Sequence, residues 1–118
     1  MASFYLSDTV TQGDVCIIRV GGCVDFDVAP QLKHYIVDHI GTGTRRLVVD
    51  LSDVEFIDST AIGVLVGVLK RLRDLGGSLA LVCDSDNVRN IFEIVGLENV
   101  IPLHRSRDDA LAALAQAA

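Results

Sequence analysis

The sequence predicts an α/β fold, a small mixed β-sheet of four to five strands with about four helices packed on it. Three observations predict it. Short β-branched or apolar runs, at 14–20, 47–51 and 79–83, alternate with segments whose apolar residues recur at helical spacing. Glycine pairs, Gly21-Gly22 and Gly76-Gly77, punctuate the boundaries. The length, 118 residues, is that of one domain, so 1–118 reads as a single domain. A chain of this size buries roughly two-thirds of its unfolded surface and needs no disulfide or metal staple.

The elements follow in order. Residues 3–7 are expected to form an edge strand that pairs, across the turn region Asp8 to Gly13, with a strand at 14–20, Asp-Val-Cys-Ile-Ile-Arg-Val. Gly21-Gly22 reads as the turn that closes it. Pro30 suits the first position of a helix, with Asp27 or Ala29 just before it. Leu32, Tyr35, Ile36 and Ile40 carry the helical spacing, and Gly41 and Gly43 end it. Leu47 to Leu51 is a continuous apolar run with one acid, as expected of a strand covered on both faces.

A short loop then leads to a second helix that begins near Ser59. Ile62, Leu65, Leu69 and Leu72 make its apolar stripe. Gly63 and Gly67 share a face where another element's backbone could approach closely. Lys70, Arg71 and Arg73 fall where positive charge favours the helix dipole, and Gly76-Gly77 is the stop. Leu79 to Cys83 is the next strand. A third helix runs from about Asp86 to Val95, with Val88, Ile91, Phe92 and Val95 on one face. Gly96 fits its left-handed C′ position and Leu97 the apolar contact beyond. Ile101 falls in a last short strand and Arg107 to Ala115 in a last helix, within an Ala-rich end at Ala110 to Ala118.

Composition excludes several classes. Hydrophobic residues are 50% and charged residues 22% of the chain, a balance that argues against disorder. No apolar run reaches the roughly 18 uncharged residues of a membrane helix. Met1 to Leu6 lacks the basic flank and apolar core of a signal peptide, so a cytoplasmic location is expected. The net charge of −6 works against phosphate backbones, so no nucleic-acid partner is expected. Cys16, Cys23 and Cys83 form no CxxC pair and read as reduced thiols. His34 and His39 are five apart and do not share a metal-binding face, and His104 has no ligand grouping, so no metal or cofactor is expected.

The informative segment is Val54-Glu55-Phe56-Ile57-Asp58-Ser59-Thr60-Ala61-Ile62-Gly63-Val64-Leu65. Three small polar residues, Asp58-Ser59-Thr60, stand at a helix start, where their oxygens can cap amides that lack partners within the helix. The same place offers free N–H groups and the positive end of the dipole to a phosphate. A serine there is open to phosphorylation, which adds a charge of about −1.5 to −2. A partner surface fitted to a neutral hydroxyl then faces that dianion, and at about 6 Å a phosphate and one carboxylate repel by on the order of 1–3 kcal/mol. Repulsion of that size weakens a protein contact by about tenfold or more without changing the fold.

The chain resembles the STAS-domain anti-sigma factor antagonists of bacteria. The carriers are Gly21-Gly22-Cys23-Val24-Asp25, Ala29-Pro30-Gln31-Leu32, Leu47 to Leu51, Phe56 to Leu65, Gly76-Gly77-Ser78-Leu79, and Ile91 to Leu97. The resemblance implies a binding protein rather than an enzyme. It places the phosphate on Ser59, delivered from ATP by an anti-sigma factor that is a serine kinase and removed by a separate phosphatase. It implies that the unphosphorylated protein binds the anti-sigma factor, freeing a sigma factor, and that the phosphorylated protein does not. Asp25, in the loop Gly22-Cys23-Val24-Asp25, inherits a role in the kinase contact, although it also reads as a plain turn residue. Asp58, Ser59, Thr60, Cys23 and Ser85 complete the expected partner surface; Thr60 and Ser85 read first as helix caps, with Thr60 also a second hydroxyl that can stand in for Ser59.

Two positions depart from the family pattern. Cys23 replaces a glutamate, which removes a negative charge from the contact. Ala61 replaces a glycine, which favours the helix by roughly 1 kcal/mol and adds a methyl beside Ser59. Other readings compete. Asp50, in or at the end of a strand, suggests a receiver-like phosphoacceptor, but the first β–α connection supplies Asp25 and Asp27 rather than an adjacent acidic pair. Ser59 as a hydrolase nucleophile lacks the Gly-x-Ser-x-Gly elbow. STAS domains also serve as scaffolds of stress-sensing assemblies and as nucleotide-binding modules of transporters.

Overall fold

The computed structural model describes residues 3–97 and 99–116. The elements run β1 (Tyr5–Gln12), β2 (Val15–Val24), α1 (Ala29–Gly41), β3 (Arg46–Ile57), α2 (Ser59–Asp74), β4 (Ser78–Val82), α3 (Asp86–Ile94), β5 (Leu103–His104) and α4 (Arg107–Gln116). They build a mixed five-stranded sheet in the order β1-β2-β3-β4-β5. β1 is antiparallel to β2, and every other neighbouring pair is parallel. The fold is the α/β class that alternation of strands and helices predicts.

Strand alternation divides the core between the two faces. Cys16, Ile18, Leu47, Val49, Leu79 and Leu81 turn to one side and join the buried residues of α1, α2 and α3. Ile17, Val48, Ala80 and Val82 turn to the other and are covered by Ala110 and Leu114 of α4. Asp50 shares that second face, with its side chain only 7% exposed. Its Oδ2 accepts from Arg107 Nε at 2.7 Å, and its Oδ1 accepts the Ser52 amide at 2.9 Å. Burial by itself would raise the Asp50 carboxyl; the Ser52 hydrogen bonds and the Arg107 guanidinium outweigh it and hold the group below its ordinary value.

Several sequence expectations need correction. Gly21-Gly22 is not a turn, because β2 runs through it to Val24. The pairing with β3 shifts between Arg19 and Gly21 and again between Gly22 and Cys23, so the glycines mark bulges. The Tyr5 ring lies over Gly21, where a Cβ would run into it, and donates its hydroxyl to Asp53 Oδ2 at 2.7 Å. β1 extends to Gln12, well past residue 7, because it pairs with β2 as far as Gln12↔Val15. β3 extends to Ile57 rather than stopping at Leu51, because β2 continues beside it. Beyond Asp50, β3 pairs with β2 alone among the described residues.

The helix ends also differ in detail. α1 opens without a side-chain cap, since the Asp25 carbonyl accepts the Val28 and Ala29 amides instead. The last strand is Leu103–His104, while Ile101 is a buried plug whose amide donates to the Leu97 carbonyl. A Cβ at Gly63 or Gly67 would meet nothing within 4 Å, so no backbone approaches that face of α2. α3 ends as its sequence predicts. Gly96 takes φ 76°, the Leu97 amide donates to the Phe92 carbonyl at 2.9 Å, and the Gly96 amide to Glu93 at 3.0 Å, which is a Schellman motif. Of the Ala-rich end, Ala117 and Ala118 lie outside the described residues, as do Met1 and Ala2 at the start.

Cys16 and Cys83 are buried, Cys23 is half-buried, and none of the three is in a disulfide. Burial pushes the Cys83 thiol up, so it stays protonated at neutral pH. His34 is exposed, but His39 stacks edge-on against Tyr35 at 4.9 Å and the His104 Nε2 is buried. Arg45 and Arg46 are both engaged within the chain. Arg45 donates to the Ile40 and Thr44 carbonyls, and Arg46 reaches Asp14 Oδ1 at 2.8 Å. Among the described residues no helix is long and apolar enough to cross a membrane.

Candidate functional site

Parallel strands deliver their C-terminal ends to one edge of the sheet, and the segments that leave that edge bring the expected residues together. Cys23 of β2 pairs with Phe56 of β3, and Val24 with Ile57. The Asp58 amide donates to the Val24 carbonyl at 3.1 Å, which ties the start of α2 to the end of β2. Asp25 follows at once. Its Oδ1 accepts the Asp27 amide at 3.0 Å, so its carboxylate shapes the loop into α1 as a turn residue does.

At the head of α2 the three small polar residues have different surroundings. Asp58 is the N-cap, in extended conformation, and its Oδ1 accepts the Ala61 amide at 3.0 Å. Ser59 is the first helical residue. It is exposed, and its hydroxyl has no hydrogen-bond partner among the described residues. Thr60 is exposed and caps nothing. Because Asp58 alone does the capping, the Ser59 hydroxyl is left over. Ala61 is fully buried, so its methyl points into the core rather than over the serine.

Ser85 lies on the same sheet edge, after β4. Its hydroxyl accepts the Val88 amide at 3.5 Å, which makes it the N-cap of α3. Asp50, the alternative phosphoacceptor, does not belong to this surface. It is buried under α4 with both oxygens engaged.

Two residues at this edge escaped the sequence reading. Phe26 is 65% exposed beside Asp25, and Phe56 is 46% exposed three residues before Ser59. Isolated exposed apolar residues are ordinary; two exposed phenylalanines on segments at the same sheet edge are less so. The weak signal was in β3, where Val54 and Ile57 take the inward places and leave Phe56 outside. Charge adds to the pattern. Asp25, Asp27, Glu55 and Asp58 crowd the edge, and neither 23–32 nor 53–69 contains a lysine or arginine. Among the described residues no cluster of histidine, cysteine and carboxylate side chains could hold a metal ion.

The order and direction of these strands, with helices packed on both faces, define a fold class, and sequence comparison identifies the family. The model of the STAS domain matches residues 7–110, and the chain belongs to that family, among relatives named as antagonists of anti-sigma factors. The anti-sigma-B factor antagonist of Staphylococcus aureus is 32% identical over 101 residues, which cover 86% of this chain and 94% of that protein. The crystal structure of an anti-sigma factor antagonist from Mycobacterium paratuberculosis superposes with a TM-score of 0.87 at 28% identity, covering 97% of this chain and 96% of that one. A putative anti-sigma factor antagonist from Thermotoga maritima gives 0.86 at 25% identity, covering 94% and 95%.

Proposed function

We propose that this protein captures an anti-sigma factor with serine kinase activity while Ser59 carries a free hydroxyl, and releases it once Ser59 is phosphorylated. The single observation that carries the reading is the exposed, unpartnered Ser59 hydroxyl beside a capping Asp58. The names of the relatives, anti-sigma factor antagonists, support the choice of partner. Phe26 and Phe56 supply the apolar anchors of the docking face, and Asp25, Asp58, Cys23 and Thr60 its polar part. Ser85 contributes backbone position through α3 rather than a free hydroxyl.

The transfer step is simple in its balance. Ser59 Oγ attacks the γ-phosphorus of ATP held by the kinase, the bond from that phosphorus to the β–γ bridging oxygen breaks, and ADP leaves. The hydroxyl proton passes to a base of the kinase. The product carries about −1.5 to −2 charge on a surface already crowded by Asp25, Glu55 and Asp58. Its nearest helix amides favour the anion, so the fold tolerates it. The docked partner does not, since a contact fitted to a neutral hydroxyl now faces a dianion. A phosphatase returns the protein to its binding form in the cytoplasm.

The test uses the purified cognate anti-sigma factor with Mg-ATP. Phosphate should appear once per chain, on Ser59. Ser59→Ala should bind and stay unmodified, and Ser59→Asp should bind at least about tenfold more weakly. Full modification of Ser59→Ala at another residue would falsify the site assignment.

A further inference from the structure

We infer that the groove between α1 and α2 is a second half of the docking surface and receives an acidic segment of the anti-sigma factor; this rests on the function proposed above. The groove holds about 330 Å³ and runs from Thr60, next to Ser59, down α2 past Gly63 and Gly67 to Arg71, with Lys33 on the α1 side.

Three observations point to an occupant. First, Gly63 and Gly67 are exposed and face open space, so packing within the chain does not require them. Each glycine costs a helix about 1 kcal/mol relative to alanine. What the pair provides is a bare floor on which another backbone can lie. Second, the charged residues of the groove are both cations. Lys33 and Arg71 have no ion-pair partner among the described residues, although the chain carries 16 acids against 10 bases. Third, the sign of charge reverses at Thr60. Above it lie Asp25, Asp27, Glu55 and Asp58; below it lie Lys33 and Arg71. A partner with carboxylates opposite the groove and an uncharged face against Phe26, Phe56 and the Ser59 hydroxyl docks in one orientation only, which presents that hydroxyl to the bound ATP.

Binding of the purified anti-sigma factor is measured for the unaltered chain, for Lys33→Glu with Arg71→Glu, and for Gly67→Leu, with Ser59→Asp as the reference for loss at the serine. Charge reversal should raise Kd about tenfold or more and flatten its salt dependence. Gly67→Leu should raise Kd comparably at both low and high salt, because it fills the floor. Melting temperatures establish that each variant is folded; if Gly67→Leu is not, the exposed charge pair decides. Kd values within about twofold of the unaltered chain for the folded variants, with Ser59→Asp still defective, overturn the groove and leave the switch standing. No binding by the unaltered chain overturns the switch, and with it the occupant named here.

Discussion

The Asp58 carboxylate accepts the Ala61 amide at 3.0 Å, and that one hydrogen bond frees Ser59 from capping duty. Asp58→Ala should therefore destabilise the protein by about 1 kcal/mol, and Asp58→Asn by much less, in urea unfolding. If Asp58→Ala leaves the unfolding midpoint unmoved, another side chain caps α2 and the separation of roles fails.

Fold and switch should come apart at Ser59. A negative charge at the first position of α2 interacts favourably with the helix dipole, by about 0.3–1 kcal/mol. Ser59→Asp should then be as stable as the parent or slightly more so, while binding the anti-sigma factor poorly. Loss of binding together with a lowered melting temperature would point instead to damage of the fold.

Phe26 should matter to a partner and not to the chain. At 65% exposure its truncation removes little buried contact, so Phe26→Ala should change stability by no more than about 0.5 kcal/mol. Kd for the anti-sigma factor should rise by a factor of about 10, as for an aromatic anchor. Unchanged affinity would remove Phe26 from the docking face.

The buried pair under α4 sets an acid limit. Burial works to raise the Asp50 carboxyl, but Ser52 and Arg107 bring it below its ordinary value. The folded pKa is thus depressed relative to the unfolded chain. The corresponding stability is fully present above the unfolded value of about 3.9 and is lost as pH falls through the folded one. Arg107→Ala leaves a buried carboxylate without its cation, at a cost on the order of 3 kcal/mol near neutral pH. Without that cation the depression of the Asp50 carboxyl shrinks, so the variant loses less on acidification and the gap between the two proteins should narrow as pH falls. Urea midpoints measured across pH for the two proteins check both statements.

Local signals were legible in the sequence wherever the cause lies within a few residues. The Ser85 cap, the Gly96 end of α3 and the stripe Ile62, Leu65, Leu69 and Leu72 are of this kind. Pairing between distant segments was not legible. Gly21-Gly22 looks like a turn until Tyr5 is seen across it, and Leu51 looks like a strand end until β2 is seen to continue beside β3. Asp50 finds Arg107 57 residues away. Of the site, the motif gave Ser59 and Asp58 directly. The exposure of Phe56 depends on which face β3 turns outward, which the irregular pairing with β2 hides from a count of alternation, and Phe26 lies in the turn after β2, where no periodicity places it.

The stretch of β3 past Asp50 leans on a single neighbouring strand, and Ser59 rides at its tip. Solvent deuterium should therefore replace amide protons in a gradient along that strand, slowly at Val48 and Val49 and faster toward Phe56. Under the proposed function, a serine carried by the singly flanked section of sheet would enter a kinase cleft while the doubly flanked strands behind it stay closed.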